Sequence, residues 1–261
     1  MDRPPPSTGR YRIEALAKGL HVLRTFDGSQ EALRVSEIAA RTGIPLPTTF
    51  RIVATLEELG YVERRGDGSV RPGLAVLTLG TAALRSSTLL QVSDRPLHHL
   101  ADITGETVNL GVLTDDRVLY IARLRNSDLV TADLHVGSTL PAVYASMGKV
   151  LLAHLAPKEL RHRISARSFA RPAGPNAVPD LAALQAQLLE IRTCGYAVQD
   201  EEVAAGLRSI SVPVPGADQT PLAALNVAVS TTRYSAGELA QSFVEPLRKA
   251  AEEIALRLRQ T

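Results

Sequence analysis

The 261 residues are 45% hydrophobic and 21% charged, with 18 Gly, 16 Pro and 4% aromatics. That composition excludes disordered and fibrous classes, no run approaches the ~20 apolar residues of a bilayer span, and at roughly 150 residues per domain the length predicts one large domain or two. The formal net charge is +2, all of it within residues 1–75, which hold 11 Lys/Arg against 9 Asp/Glu; so small a surplus permits a nucleic-acid partner without requiring one.

Residues 1–10 are polar and Pro-rich, and they predict a flexible tail without the apolar segment of a leader peptide. Ile13, Leu16, Leu20, Leu23 and Phe26 then recur at spacings of three and four, which predicts an amphipathic helix with that inner face, ended near Asp27-Gly28. A second short helix follows, capped by Ser36, buried through Ile38 and Ala39 and stopped at Gly43. After the turn Ile44-Pro45-Leu46, Pro47 suits the first position of a third helix running to Leu59, with Gly60 beyond it. Tyr61 to Arg64 and Val70-Arg71 predict short strands around Arg65-Gly66-Asp67-Gly68-Ser69. Two helices across a short turn, preceded by a helix and followed by a hairpin, make a winged helix-turn-helix over residues 11–74. A small protein-interaction module is the other use of such a pattern.

Leu74 to Leu90 is rich in leucine and predicts a linker helix over 75–92 whose apolar face needs a partner surface. From Glu106 the period changes to two. Residues 106–114 and 117–123 predict strands around Asp115-Asp116, and 129–136 a third. Helices are predicted at Ser146 to Leu155, Pro157 to Ile164 and Asp180 to Thr193, then strands at Tyr196 to Val198, Leu207 to Val214 and Leu222 to Val229. Ser235 and Glu238 form a capping box that opens a final helix to Arg259. Residues 93–261 thus predict one α+β domain around an antiparallel sheet.

Four motifs in order carry a specific resemblance. Val35-Ser-Glu-Ile-Ala-Ala-Arg-Thr-Gly-Ile-Pro45, with Thr48, Arg51 and Ala54-Thr-Leu-Glu-Glu-Leu-Gly-Tyr-Val62, resembles the helix-turn-helix of the IclR family of bacterial transcriptional regulators. Gly137-Ser-Thr-Leu-Pro141, Ala145-Ser-Met-Gly-Lys149-Val-Leu-Leu-Ala153, and Gly195 to Glu202 through Gly206-Leu-Arg-Ser-Ile210 to Val214 are similar to its effector domain. Among that family, the Leu-Pro, Ser-Met-Gly and Gly-Leu-Arg-Ser-Ile segments are most similar to regulators of protocatechuate and β-ketoadipate catabolism. The resemblance implies a GAF-like effector domain, homodimers or dimers of dimers, a palindromic double-stranded operator, and control of an adjacent catabolic operon by a small organic acid. Leu46 stands where the family commonly has a basic residue.

On the third helix, Ile52, Val53, Leu56 and Leu59 are read as the inner side, which leaves Thr48, Phe50, Arg51 and Thr55 for the major groove. Arg51 is the best base or phosphate contact; Phe50 either meets a thymine methyl or packs on a neighbouring helix. Arg64, Arg65 and Arg71 on the wing are read as phosphate contacts. The effector is expected where Ser146 opens a helix whose Met147 and Gly148 N–H groups take a carboxylate without a buried arginine. By resemblance the opposite wall comes from Gln199, Asp200, Ser209, Asn226 and Ala228. Ser209 and Asn226 are polar residues in apolar strands, and they either face a ligand or bond one another and the backbone. Tyr144 and Leu140 are expected to line an apolar side suited to an aromatic or short dicarboxylic acid.

Competing chemistry is weaker. Ser146 and Lys149 match a Ser-x-x-Lys acyl-transfer pattern, but no Ser-Asp-Asn or Lys-Thr-Gly follows. Cys194 is the sole cysteine, so neither an intramolecular disulfide nor a multi-cysteine zinc site forms, and a reducing, cytoplasmic location is expected. His98 and His99 are adjacent and diverge on a helix, while His135 and His154 stand alone, so no metal or other cofactor is expected. The run Asp200-Glu201-Glu202 is read as a solvated loop edge. A ligand-sensing module that never touches DNA remains the alternative to a regulator.

Overall fold

The structure is a computed structural model that describes residues 11–26, 28, 30–125, 134–170 and 173–261, so the tail expected over 1–10 and Asp27 lie outside the described residues. The chain divides into two compact units, the first reaching Ala83 and the second running from Leu84 to Thr261. Among the described residues no helix is long and apolar enough to cross a membrane.

The first unit is built from α1 (Glu14–Leu23), α2 (Val35–Thr42), α3 (Leu46–Glu58) and the antiparallel strands β1 (Val62–Arg64) and β2 (Val70–Pro72). Leu33 adds a bridge to Val70 at the base of the wing. The core joins Val22, Leu33, Ile38, Ile44, Val53, Val62 and Val70. Gly43 ends α2 in the left-handed conformation at φ 68°, which turns the chain into α3.

Three expectations for this unit are corrected. Ser36 is not the cap of α2: Arg34 holds that position, and its N–H donates to the Glu37 carboxylate at 2.6 Å, so the helix begins two residues earlier. Leu59 is not on the inner side of α3, being 60% exposed beyond the helix end; Thr49 is buried instead, its hydroxyl donating to the carbonyls of Ile44 and Pro45. Nor do Ile13, Leu16 and Leu20 form the inner face of α1. They are 65%, 60% and 52% exposed, while Val22 fills the core with Leu23 and Phe26 beside it. The small core accepts only the end of α1, so most of its apolar stripe faces outward.

The expected linker helix over 75–92 is two helices, α4 (Ala75–Ser86) and α5 (Thr88–Thr104). Ser87 is extended and its hydroxyl accepts the Leu90 N–H, which starts a new helix rather than continuing the old one.

The second unit holds β3 (Thr107–Thr114), β4 (Arg117–Leu124), β5 (Thr139–Pro141), α6 (Ser146–Ala153), α7 (Pro157–Arg163), α8 (Leu181–Cys194), β6 (Ala197–Asp200), β7 (Leu207–Pro215), β8 (Pro221–Ser230) and α9 (Ala236–Leu258). Of the strand expected over 129–136, residues 129–133 lie outside the described residues and 134–136 pair in no strand; the third strand is Thr139–Pro141. The six strands form one antiparallel sheet in the order β5-β4-β3-β8-β7-β6. One face is covered by α5 and α9 through Leu97, Leu100, Phe243 and Leu247, and the other by α6 and α8 through Val150, Leu152, Leu184 and Leu188. Burial on both faces explains why these strands read as apolar runs with isolated polar residues.

Candidate functional site

On α3, Phe50, Arg51 and Thr55 are exposed and Thr48 is half-buried; Thr48, Arg51 and Thr55 share one side of the helix, with Phe50 about 100° or more around from them. Among the described residues, no side chain bonds the Arg51 guanidinium. The wing arginines are different, because each has a carboxylate partner: Arg64 with Glu57, Arg65 with Glu31 and Arg71 with Glu63, all at 2.9 Å. The Arg64 guanidinium also lies 5.9 Å from the centre of the Phe50 ring, which is 54% exposed.

In the second unit a row of polar residues crosses the sheet in register. Arg123 on β4 lies opposite Asn109 on β3, Asn109 opposite Asn226 on β8, and Asn226 opposite Ser211 on β7. Arg123 Nη1 donates to Asn109 Oδ1 at 2.7 Å, and Asn109 Nδ2 donates to Asn226 Oδ1 at 2.7 Å. Asn226 Nδ2 approaches the hydroxyls of Ser146 and Ser211 at 3.1 Å, and the Ser146 hydroxyl bonds those of Ser209 at 2.8 Å and Ser211 at 2.7 Å. Ser209 and Asn226 are not bonded to one another; each bonds the Ser146 hydroxyl, and both line a cavity. That cavity lies where α6 begins.

Of the residues expected there, Leu140, Ser146, Met147, Ser209, Asn226 and Ala228 line it. Four do not. The Tyr144 hydroxyl donates to the Phe169 carbonyl at 2.9 Å, which holds the ring in the α6–α8 core, where burial raises its pKa. Gly148 serves close packing: a Cβ there would lie 2.2 Å from the Ala142 carbonyl oxygen, so the start of α6 rests directly on the 142–145 turn. Gln199 is fully buried behind Ser209 and donates to the Leu207 carbonyl at 3.3 Å. Asp200 pairs with Arg208 at 2.5 Å.

Asn109, Tyr120 and Arg123 line the cavity and were missed, as was the neighbouring apolar pair Val203 and Leu207. A half-buried arginine thus stands on the wall of the cavity beside the helix N–H groups expected to take the carboxylate. A bulge is responsible: Leu110 faces Ala122 but Gly111 faces Tyr120, so Ile121 is an extra residue in β4. Strict alternation from Val118 and Tyr120 would turn residue 123 to the α5–α9 side; the inserted residue brings Arg123 back to the α6 side.

The acidic run is also not a solvated edge. Glu202 is buried against the Lys149 ammonium, and the Glu201 carboxylate accepts the Gly206 N–H at 2.8 Å. Burial pushes the Lys149 ammonium down and the Glu202 carboxyl up from their usual ranges. With Lys149 committed to Glu202 and the Ser146 hydroxyl to two serines, the Ser-x-x-Lys pattern places no base on Ser146.

A winged helix-turn-helix followed by a sheet domain with a polar cavity defines a ligand-responsive, DNA-binding transcription regulator. Residues 15–66 match the IclR helix-turn-helix domain and residues 81–256 the C-terminal domain of bacterial transcriptional regulator IclR. The chain belongs to the IclR family. It is 37% identical over 93% of its length to the Pca regulon regulatory protein of Pseudomonas putida, 83% of which is covered. It is 28% identical over 96% of its length to the transcriptional repressor IclR of Escherichia coli K12, 91% of which is covered. An IclR homologue of Microbacterium hydrocarbonoxydans, solved in complex with 4-hydroxybenzoate, has the same architecture, with a TM-score of 0.72 and 30% identity over 95% of this chain and all of that one.

Proposed function

We propose that the protein is a cytoplasmic, non-enzymatic regulator of an aromatic-acid or related catabolic operon beside its own gene, binding a palindromic operator as a homodimer or dimer of dimers and responding to a small organic acid in the cavity under α6. The observation that carries this reading is the buried polar row ending at that cavity, in a chain whose other unit is a winged helix-turn-helix. A row of this kind is costly inside an apolar sheet unless it serves a ligand or a specific packing, and here it reaches the cavity wall at Ser146, Ser209 and Asn226. Similarity to the Pca regulon regulatory protein and to the 4-hydroxybenzoate-bound homologue supports the choice of acids.

In this reading α3 enters the major groove, with Arg51 contacting a base and Thr48, Phe50 and Thr55 around it, while Arg64, Arg65 and Arg71 exchange their carboxylate partners for phosphates. Arg51→Ala is expected to weaken binding to the intergenic DNA flanking the gene by about 1–3 kcal/mol in a retardation titration. Unchanged affinity would remove Arg51 from the interface.

Dimerisation is proposed through the outward stripe Ile13, Leu16 and Leu20 of α1 with Leu77 of α4, all more than half exposed in the single chain. Leu16→Glu combined with Leu77→Glu is expected to turn a dimer into a monomer in sedimentation at micromolar concentration and to weaken operator binding at least about tenfold, because one winged helix reads only a half-site. A doubly substituted chain that still sediments as a dimer would move the interface elsewhere.

A further inference from the structure

Among the described residues, the guanidinium of Arg123 is the one cationic group on the wall of the effector cavity. It is anchored at one corner only, by the Nη1 bond to Asn109, and its Nε is buried without a hydrogen-bond partner. Among the described residues no carboxylate pairs with it. A half-buried guanidinium without a counter-ion is expensive, as its pKa, lowered by desolvation, reflects. Yet the β4 bulge actively turns this side chain into the cavity, when regular alternation would have turned it out. Beside it Tyr120 also lines the cavity and keeps water from surrounding the guanidinium, its own side chain being buried. Across the cavity stand the Ser146 hydroxyl and the first N–H groups of α6, which precede the first intrahelical bond, from Lys149 to Ala145.

We propose that Arg123 is the residue that selects a carboxylate in this cavity: the effector's acid group forms a charge-assisted fork with the guanidinium edge that contains Nε, and the rest of the ligand extends over Leu140 and Met147 toward Ser146. This inference rests on the reading of the cavity as the effector site. Asn109 then acts as a positioning residue, since it holds the Nη1 corner and passes the contact through Asn226 to Ser146. A guanidinium fork matches the two oxygens of a carboxylate and has no comparable match to a neutral amide or ester.

The test compares acids with their neutral counterparts, 4-hydroxybenzoate with 4-hydroxybenzamide and adipate with adipamide, by calorimetric titration of the full chain. The wild type is expected to prefer at least one acid over its amide by about 10- to 100-fold, the range of a charge-assisted bond. In Arg123→Gln, which can still donate to Asn109, that preference is expected to fall to within about twofold while amide binding changes little. Arg123→Lys keeps the charge but loses the fork, so part of the preference should remain, and it carries the test if the glutamine variant does not fold. Ala228→Leu, which fills the cavity, should abolish binding of acid and amide alike. An unchanged acid-to-amide ratio in Arg123→Gln, or equal weakening of both ligands, overturns the role of Arg123 while leaving the cavity in place. Undiminished acid binding in Ala228→Leu overturns the cavity itself. Failure of both acids to bind the wild type at millimolar concentration overturns the proposal as well.

Discussion

Replacing Lys149 with methionine is expected to destabilise the second unit by about 3–5 kcal/mol, because it leaves the Glu202 carboxylate buried without its cation. Lys149 and Glu202 are 1% and 5% exposed, Glu202 Oε2 lacks a hydrogen-bond partner, and among the described residues no cation other than Lys149 pairs with this carboxylate. Urea unfolding followed by circular dichroism measures the loss. The pH dependence gives a second signature. Burial raises the Glu202 pKa and Lys149 opposes that rise; without Lys149 the folded-state value climbs further above the unfolded one. A group with a raised folded pKa favours folding when protonated, so the deficit of Lys149→Met relative to wild type should shrink as the pH falls from 8 to about 5. Lys149→Met with Glu202→Leu should recover most of the stability, since an apolar pair of similar volume avoids desolvation altogether. A single-variant loss below about 1 kcal/mol, or one independent of pH, would mean that water reaches the pair.

This ion pair also marks where sequence reasoning stops. Element order was legible because both periods are strong: the three and four spacing of the helices and the apolar strands bounded by Gly, Pro and Asp. The cap at Ser235 with Glu238, the stop at Gly43 and the antiparallel sheet all follow from such local signals. Lys149 and Glu202 are 53 positions apart, and nothing local joins them; an acidic run in a loop is solvated in most proteins, and tertiary burial overrode that expectation. The same limit applies to Tyr144, whose aromatic character fits a ligand wall and a core equally well. Exposure of Ile13, Leu16 and Leu20 is a third case: periodicity finds the apolar face of a helix but not what covers it.

The cavity shows the limit most clearly. Ser146, Ser209 and Asn226 stood out as polar residues in apolar surroundings, and they meet. Asn109 offered the same signal inside Thr107 to Thr114 and was available to the same argument. Arg123 was not, since reading the strand with period two assigns it to the opposite face from Tyr120, and only the extra residue at Ile121 brings the two together. A break in alternation, with Ile121 and Ala122 adjacent before an arginine, is the signal that would have found it. Bulges re-aim side chains beside functional sites often enough that a charged residue one step out of phase in a buried strand merits that reading.

Asn226→Leu is expected to abolish the response to effector while sparing the DNA-binding unit. Asn226 is 2% exposed and is the central link of the polar row, accepting from Asn109 and donating toward Ser146, Ser211 and the Ile210 carbonyl. Leucine fits the space but bonds none of them, and each buried group left unpaired costs about 1–3 kcal/mol. The ladder then fails in both directions: Asn109 loses the acceptor that orients it for Arg123, and the serine cluster loses the donor that fixes Ser146 at the cavity wall. Operator binding should persist, because the helix-turn-helix has its own core and belongs to a separate unit. The expected result is a protein that shifts operator DNA at wild-type concentration and releases or retains it without regard to the added acid. Ser146→Ala removes one hydroxyl and leaves Asn226, Asn109 and Arg123 in place, so its effector affinity should fall by a smaller factor, about 3- to 10-fold, with the fold intact. If either variant responds to the acid at the same concentration as the wild type, the effector does not contact this row, and the polar ladder is an internal packing feature of the sheet.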